Sequence, residues 1–157
     1  MKESVYIETT VVSYLTSRPS RDVIIAAHQE LTRQWWEIRS SAFDLFVSEL
    51  VSEESVRGNP EAASKRLSIV DKIPILKITD AAVDLSGQLV SAGLVPSEST
   101  ADSLHIAIAA VNGVDYILTW NCKHLANATL RYRIEGLVEG TGFACPIICT
   151  PEELMEN

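Results

Sequence analysis

Short runs of β-branched and aromatic residues alternate with longer segments of helical period along the whole 157-residue chain. This alternation restricts the fold more than any other feature. Adjacent parallel strands need a crossover long enough to hold a helix, so repeated strand–helix units select an α/β domain with a largely parallel sheet. The strand-like runs are residues 4 to 8, "FDLFVS" (43–48), "PILKI", "VDYILTW" and "CPIICT". After the first run, "RPSRD" and "VIIAAHQELTRQWWEIRS" predict a helix. Pro19, Ser20 and Asp22 lie near its first turn, and Ile24, Ala27, Leu31, Trp35 and Ile38 follow at helical spacing.

The next predicted helix follows the second strand directly, carries Glu49, Glu53 and Glu54, and ends near Gly58. Pro60 opens another, at a favoured first-turn position. "TDAAVDLSGQLVSAG" has Thr79 as cap and Gly93 as stop. "TADSLHIAIAAVNG" is apolar nearly all round after its first turn, which places it deep in the domain. "NCKHLANATLRYRIEGLVEGTG" reads as a loop leading into a last helix, and "PEELM" as a closing helical turn. The length suits one domain with a real core. There are no repeats or low-complexity tracts.

No stretch approaches the roughly 20 apolar residues of a membrane helix, and "MKESVYIETT" does not resemble a signal peptide, so a cytoplasmic protein is expected. The three cysteines are an odd number without metal-ligand spacing, which reads as reduced thiols. The net charge of −8 argues against binding nucleic acid through a basic surface. It leaves room for a site where divalent cations supply the positive charge.

In parallel sheets the ligand site lies outside the carboxyl ends of the strands. Glu8 stands there, at the tip of an apolar strand where a charge is costly without a partner. Glu54 (with Glu53 beside it), Asp102 and Asn121 fall at equivalent ends of other strands. Such carboxylates repel one another unless a cation neutralises them. Oxygen ligands of this kind suit Mg²⁺ or Mn²⁺ and metal-assisted phosphodiester hydrolysis.

Taken singly, each has an ordinary explanation. Glu8 could bind a neighbouring backbone amide, Glu53 and Glu54 could form a solvated helix face, Asp102 suits a helix start, and Asn121 suits a turn. His105 either joins the site or is a core histidine using one nitrogen, and its apolar neighbours favour the core role. His124 either contacts phosphate or sits in a surface loop, the latter being the more ordinary role; His28 has no assigned role. Ser13 and Ser103 have no paired base in the local sequence, and no Gly-rich phosphate loop is present. Trp120 is the candidate for stacking on bases, with Arg18, Arg21, Lys123, Arg131 and Arg133 as candidate phosphate contacts. Trp35 and Trp36 read as core or interface.

Four segments, "YIETT", "VSELVSEESVRG", "ADSLHIAIAAVNGVDYILTWN" and "TPEEL", occur in this order across nearly the whole chain. Together they resemble a PIN domain of the VapC-toxin type. The resemblance implies a Rossmann-like three-layer α/β/α sandwich with a mainly parallel five-stranded sheet. It also implies a Mg²⁺- or Mn²⁺-dependent endoribonuclease acting on RNA, as the toxin paired with an antitoxin protein. A homodimer is implied as well, with the Trp35–Trp36 helix as a surface for it.

The family's first acid, usually Asp, corresponds to Glu8. Its second matches Glu54 best, with Glu53 one residue away; its third matches Asp102, and its fourth, often Asp, falls on Asn121. Glu8, Glu54 and Asp102 would then hold the ion while Asn121 orients a water. Two departures bear on activity: Glu8 is longer by one methylene, and Asn121 carries no charge. A catalytically weak PIN-like binding or regulatory module acting through a protein partner is the alternative. A phosphatase-like small-molecule hydrolase would need a nucleophilic Asp motif that the chain lacks.

Overall fold

Val5, Tyr6 and Ile7 are consecutive and each is fully buried, so the strand they form is covered on both faces. Strands covered on both faces belong to parallel sheets sandwiched between helices. The computed structural model, which describes residues 1–155, has this form. Strand β1 (Ser4–Ile7) is the centre of a five-stranded sheet. The other strands are β2 (Asp44–Ser48), β3 (Ile75–Leu76), β4 (Tyr116–Leu118) and β5 (Ile147–Cys149). The order is β3-β2-β1-β4-β5 and every pairing is parallel. Tyr6 stands opposite Phe46 on one side and Ile117 on the other.

Among the described residues seven α-helices surround the sheet: α1 (Thr9–Thr16), α2 (Val23–Ile38), α3 (Glu49–Ser55), α4 (Pro60–Val70), α5 (Asp80–Ser91), α6 (Thr100–Val111) and α7 (Ala128–Gly140). They fall into two packed groups: α1 against α2, α3 and α4, and α5 against α6 and α7. The expected α/β sandwich is therefore observed. Most helix starts have a side-chain cap. Asp22 accepts from the Ile24 and Ile25 amides, Ser48 from Val51, Asn59 from Glu61 and Ala62, and Thr79 from Ala82. Helix α6 buries seven residues, from Ser103 through Ala110, as its apolar sequence requires. Gly93 ends its segment with φ of 72°, a conformation that side chains with a Cβ avoid.

One helix differs from the sequence reading. Helix α1 occupies residues 9–16, a stretch to which the sequence assigned no element. Its first four residues, Thr9-Thr10-Val11-Val12, are all β-branched, a composition that locally disfavours a helix. Glu8 is its N-cap. The strand therefore stops one residue earlier than expected, and the turn into α1 aims the first acid.

The strand order changes direction between β1 and β4, since the chain leaves β1 toward β2 and β3 and later returns to fill the other side. Crevices outside the carboxyl ends form at such switch points. Glu8 follows β1, and Thr119, Trp120 and Asn121 follow β4, so both sides of this crevice carry polar residues. No helix among the described residues is long and apolar enough to cross a membrane.

Candidate metal centre

The floor of the crevice is built from Glu8, Glu54 and His105. Glu8 is only 4% exposed. Its Oε1 accepts from the Thr10 hydroxyl at 2.5 Å and the Thr119 hydroxyl at 2.6 Å, and its Oε2 accepts from the Thr10 amide at 3.2 Å. These two threonines also tie down the opposite lip: Thr10 Oγ1 accepts from the Trp120 amide, and Thr119 Oγ1 from the Asn121 amide. Glu8 thus joins the end of β1 to the loop after β4. No lysine or arginine of the described residues lies within 4.0 Å of it; the nearby cationic candidate is His105, whose Nε2 is 3.9 Å from Oε2.

Glu54, in the last turn of α3, accepts at Oε1 from the Thr9 hydroxyl at 2.6 Å and from His105 Nε2 at 2.7 Å. Burial works to raise its carboxyl. The hydrogen bond and charge of His105, the Thr9 hydroxyl and the Arg57 charge outweigh that and hold it below the ordinary carboxylate value. Glu53, next to it, is exposed, so the structure selects Glu54 as the inward acid.

His105 is 1% exposed. Its Nδ1 lies 2.6 Å from the Tyr6 hydroxyl, which in turn lies 2.8 Å from Ser48 Oγ. The sequence reading gave His105 one hydrogen bond as a core residue; it uses both nitrogens, and one of them faces two carboxylates. Tyr6 and Glu8 are two residues apart on an extended chain and share a face. That spacing, together with the three-residue spacing of Asp102 and His105 on one helix, was the signal for this contact. Glu8, Glu54 and His105 present ligand atoms within 4.8 Å of one another.

The rim is a second cluster. Asp102, in the first turn of α6, accepts from Asn121 Nδ2 at 3.0 Å and pairs with His124 Nδ1 at 2.7 Å. Asn121 Oδ1 accepts from the His124 amide. His124, expected in a surface loop, is instead held against Asp102, its side chain 21% exposed. Of the four expected positions, Glu8 and Glu54 come together with His105, while Asp102 and Asn121 come together with His124 as a separate cluster.

The stacking role expected of Trp120 is corrected by its position. It is 8% exposed, its ring is stacked on His28 at 4.0 Å, and its Nε1 donates to Thr32 at 2.7 Å. The indole is consumed inside the fold and offers no open face to a base. Arg131 likewise donates to the Ile148 carbonyl and Glu153. Lys123, Arg21 and Arg133 are exposed. Arg18 is exposed in a groove with Lys65 and Arg66, and no residue of the acidic cluster lines that groove. Trp35 is fully buried and therefore core, whereas the same helix exposes Val23, Ile24 and Ile38.

No family model matches the sequence, and no curated protein matches it. Solved structures do. A structure of VapBC2 from Rickettsia felis bound to a promoter DNA fragment matches with a TM-score of 0.58 and 15% identity, covering 94% of this chain and 98% of that one. Mycobacterium tuberculosis VapC20, described as a sarcin-ricin loop cleaving toxin, matches with a TM-score of 0.55 and 16% identity over 79% of this chain and 95% of that one. DNA-bound VapBC from Salmonella typhimurium matches with a TM-score of 0.57 and 12% identity over 96% and 99%. At these identities the likeness concerns the backbone, and the fold of this chain is that of the VapC-type PIN domains.

Proposed function

We propose that the chain is a divalent-cation-dependent endoribonuclease that hydrolyses RNA phosphodiester bonds, and that it acts as the toxin of a pair with an antitoxin protein. The observation that carries this reading is the buried Glu8, set beside Glu54 and His105 at the switch-point crevice, with no lysine or arginine of the described residues within 4.0 Å of it. The donor set fits a cation: two carboxylates and an imidazole, already close together and partly desolvated. When bound, a divalent ion there supplies Lewis-acid polarisation of a phosphodiester and makes water a better nucleophile at neutral pH.

Each residue of the chain has a task in this reading. Glu8 and Glu54 hold the ion, with the threonine hydroxyls fixing the Glu8 carboxylate. Asp102, held by Asn121 and His124, reaches the ion directly or through water, and Asn121 orients an ion-bound water. Lys123, exposed on the same loop, supplies positive charge for the RNA backbone. The cleaving activity in the name of VapC20 supports an RNA substrate, and the two VapBC complexes support a protein partner. A homodimer through the exposed apolar residues of α2 completes the proposal.

A second reading is favoured by one observation. Asn121 hydrogen-bonds Asp102, so the rim is satisfied without an ion. A module that binds a partner without cutting RNA would look the same there. The deciding experiment is incubation of purified protein with a mixed structured RNA in Mn²⁺ and in EDTA, beside Glu54→Gln and Asp102→Asn. Mn²⁺-dependent cutting lost in both variants is expected. Cutting that persists in EDTA or in both variants overturns the site, and no cutting by folded wild type on any RNA favours the binding module.

A further inference from the structure

We propose that His105 is itself a ligand of the ion, through Nε2, and that the site therefore selects an imidazole-accepting transition ion over Mg²⁺. This rests on reading the crevice as a divalent-cation site, and it is independent of the RNA.

The geometry is specific. Nε2 is 2.7 Å from Glu54 Oε1 and 3.9 Å from Glu8 Oε2. Neighbouring ligands around an ion with metal–ligand bonds of about 2.0–2.2 Å are separated by distances between these two. The ring is buried, so Nε2 points at the carboxylates and has no solvent to face. Each of the three donors comes from a different element: the end of β1, the last turn of α3 and the second turn of α6.

The second nitrogen completes the argument. In the hydrogen-bonded arrangement the Glu54 carboxylate only accepts, so Nε2 carries the ring proton. Nδ1 meets the Tyr6 hydroxyl, which meets Ser48 Oγ, and each hydroxyl is able to donate or accept. Ligation needs the lone pair of Nε2, so the single ring proton must sit on Nδ1, where it donates to the Tyr6 oxygen. The phenol then turns its own hydrogen toward Ser48. Ligation therefore leaves the ring proton on Nδ1 alone. Tyrosine and serine hydroxyls serve as donor or acceptor alike, so the buried chain stays bonded in both states. Burial pushes the Tyr6 phenol well above its ordinary value, with the Ser48 hydrogen bond opposing this and the charges of Glu8 and Glu54 adding to it. A ligating imidazole whose other nitrogen is held by a fixed partner is the usual arrangement at metal sites.

The consequence is selectivity. Mg²⁺ favours oxygen ligands and retains its waters, whereas imidazole suits later first-row ions. The test is electron spin-echo envelope modulation on the wild-type protein loaded with Mn²⁺, paired with calorimetric titration of Mn²⁺ and Mg²⁺. Modulation from a directly bound ¹⁴N is expected, absent in folded His105→Gln, together with a preference for Mn²⁺ over Mg²⁺ that falls in the same variant. Tyr6→Phe should keep the ¹⁴N signal and weaken Mn²⁺ about 10- to 100-fold, the range for loss of a partner behind a ligand. Bound Mn²⁺ without ¹⁴N modulation in the wild type, or unchanged affinity in His105→Gln, overturns the proposal and leaves His105 as a positioning residue for Glu54. Failure to bind either ion overturns both this proposal and the cation-site reading. A ¹⁴N signal without RNA cleavage upholds the ligand and overturns only the nuclease.

Discussion

Asn121 donates from Nδ2 to Asp102 Oδ1 at 3.0 Å, where two aspartates would repel each other. The amide also accepts the His124 backbone N–H, so it holds both sides of the rim. In the absence of an ion the neutral residue is the stabilising one.

Asn121→Asp should therefore weaken the metal-free protein. It removes a hydrogen bond to a charged group, worth about 1.5–3 kcal/mol, and adds like-charge repulsion. Urea unfolding in EDTA should show a loss of this order, and Mn²⁺ should recover much of it by binding the native state. Unchanged stability in EDTA would contradict the pairing.

Glu8→Asp restores the residue usual in the family that the sequence resembles, yet it should impair this chain. The carboxylate would withdraw by about one C–C bond, roughly 1.5 Å. That breaks the bonds from Thr10 and Thr119, now 2.5 and 2.6 Å. Leaving polar groups unsatisfied in a buried site costs about 1–3 kcal/mol. The expected result is lower stability and weaker Mn²⁺ binding, measured by denaturation and calorimetry. Tighter binding in Glu8→Asp would show that the threonine clamp is not what places this acid.

The sequence made the sheet and the helices around it legible because apolar runs, caps and Gly or Pro stops agreed segment by segment. Helix α1 was not legible, because Thr9-Thr10-Val11-Val12 favours a strand locally, and tertiary packing of Val11 and Val12, both fully buried, decides otherwise. Glu8 was readable from its place at a strand end, whereas the choice between Glu53 and Glu54 stayed open until the structure turned Glu54 inward and left Glu53 exposed. The pairing within the site was not readable. Whether His105 faces core or cleft depends on the rotation of α6 against β1, and no local pattern records that angle. Trp120 misled for the same reason: its neighbour in sequence, Asn121, lines the crevice, but the indole turns inward to His28 and Thr32.

That inward turn is testable. Thr32 Oγ1 accepts from Trp120 Nε1 at 2.7 Å while donating to the His28 carbonyl. Thr32→Val keeps the shape and leaves the indole N–H buried without a partner, costing about 1–3 kcal/mol. A drop of this size in urea, with a change in tryptophan emission, is expected. No change in either would mean that the indole is solvated.

The thiols give the pH dependence. Burial pushes Cys149 and Cys145 up to about 12, with acidic neighbours adding to it, and raises exposed Cys122 as well. At pH 8 about one Cys149 thiol in ten thousand is ionised in the native protein, against roughly a quarter for an unperturbed thiol near 8.5. Alkylation at pH 8 should therefore reach Cys122 first and spare Cys149 until urea unfolds the chain. The sign for stability follows. Above about pH 8.5 the unfolded thiols lose protons that the native ones keep, so the unfolded state binds fewer protons and native stability falls as pH rises toward 12. Buried Tyr6 adds to the same slope, so the comparison must be with Cys149→Ala. The variant should lose less stability than the wild type between pH 8 and pH 10.5. Equal slopes, or alkylation of native Cys149 as fast as Cys122, would mean that the end of β5 opens freely to solvent.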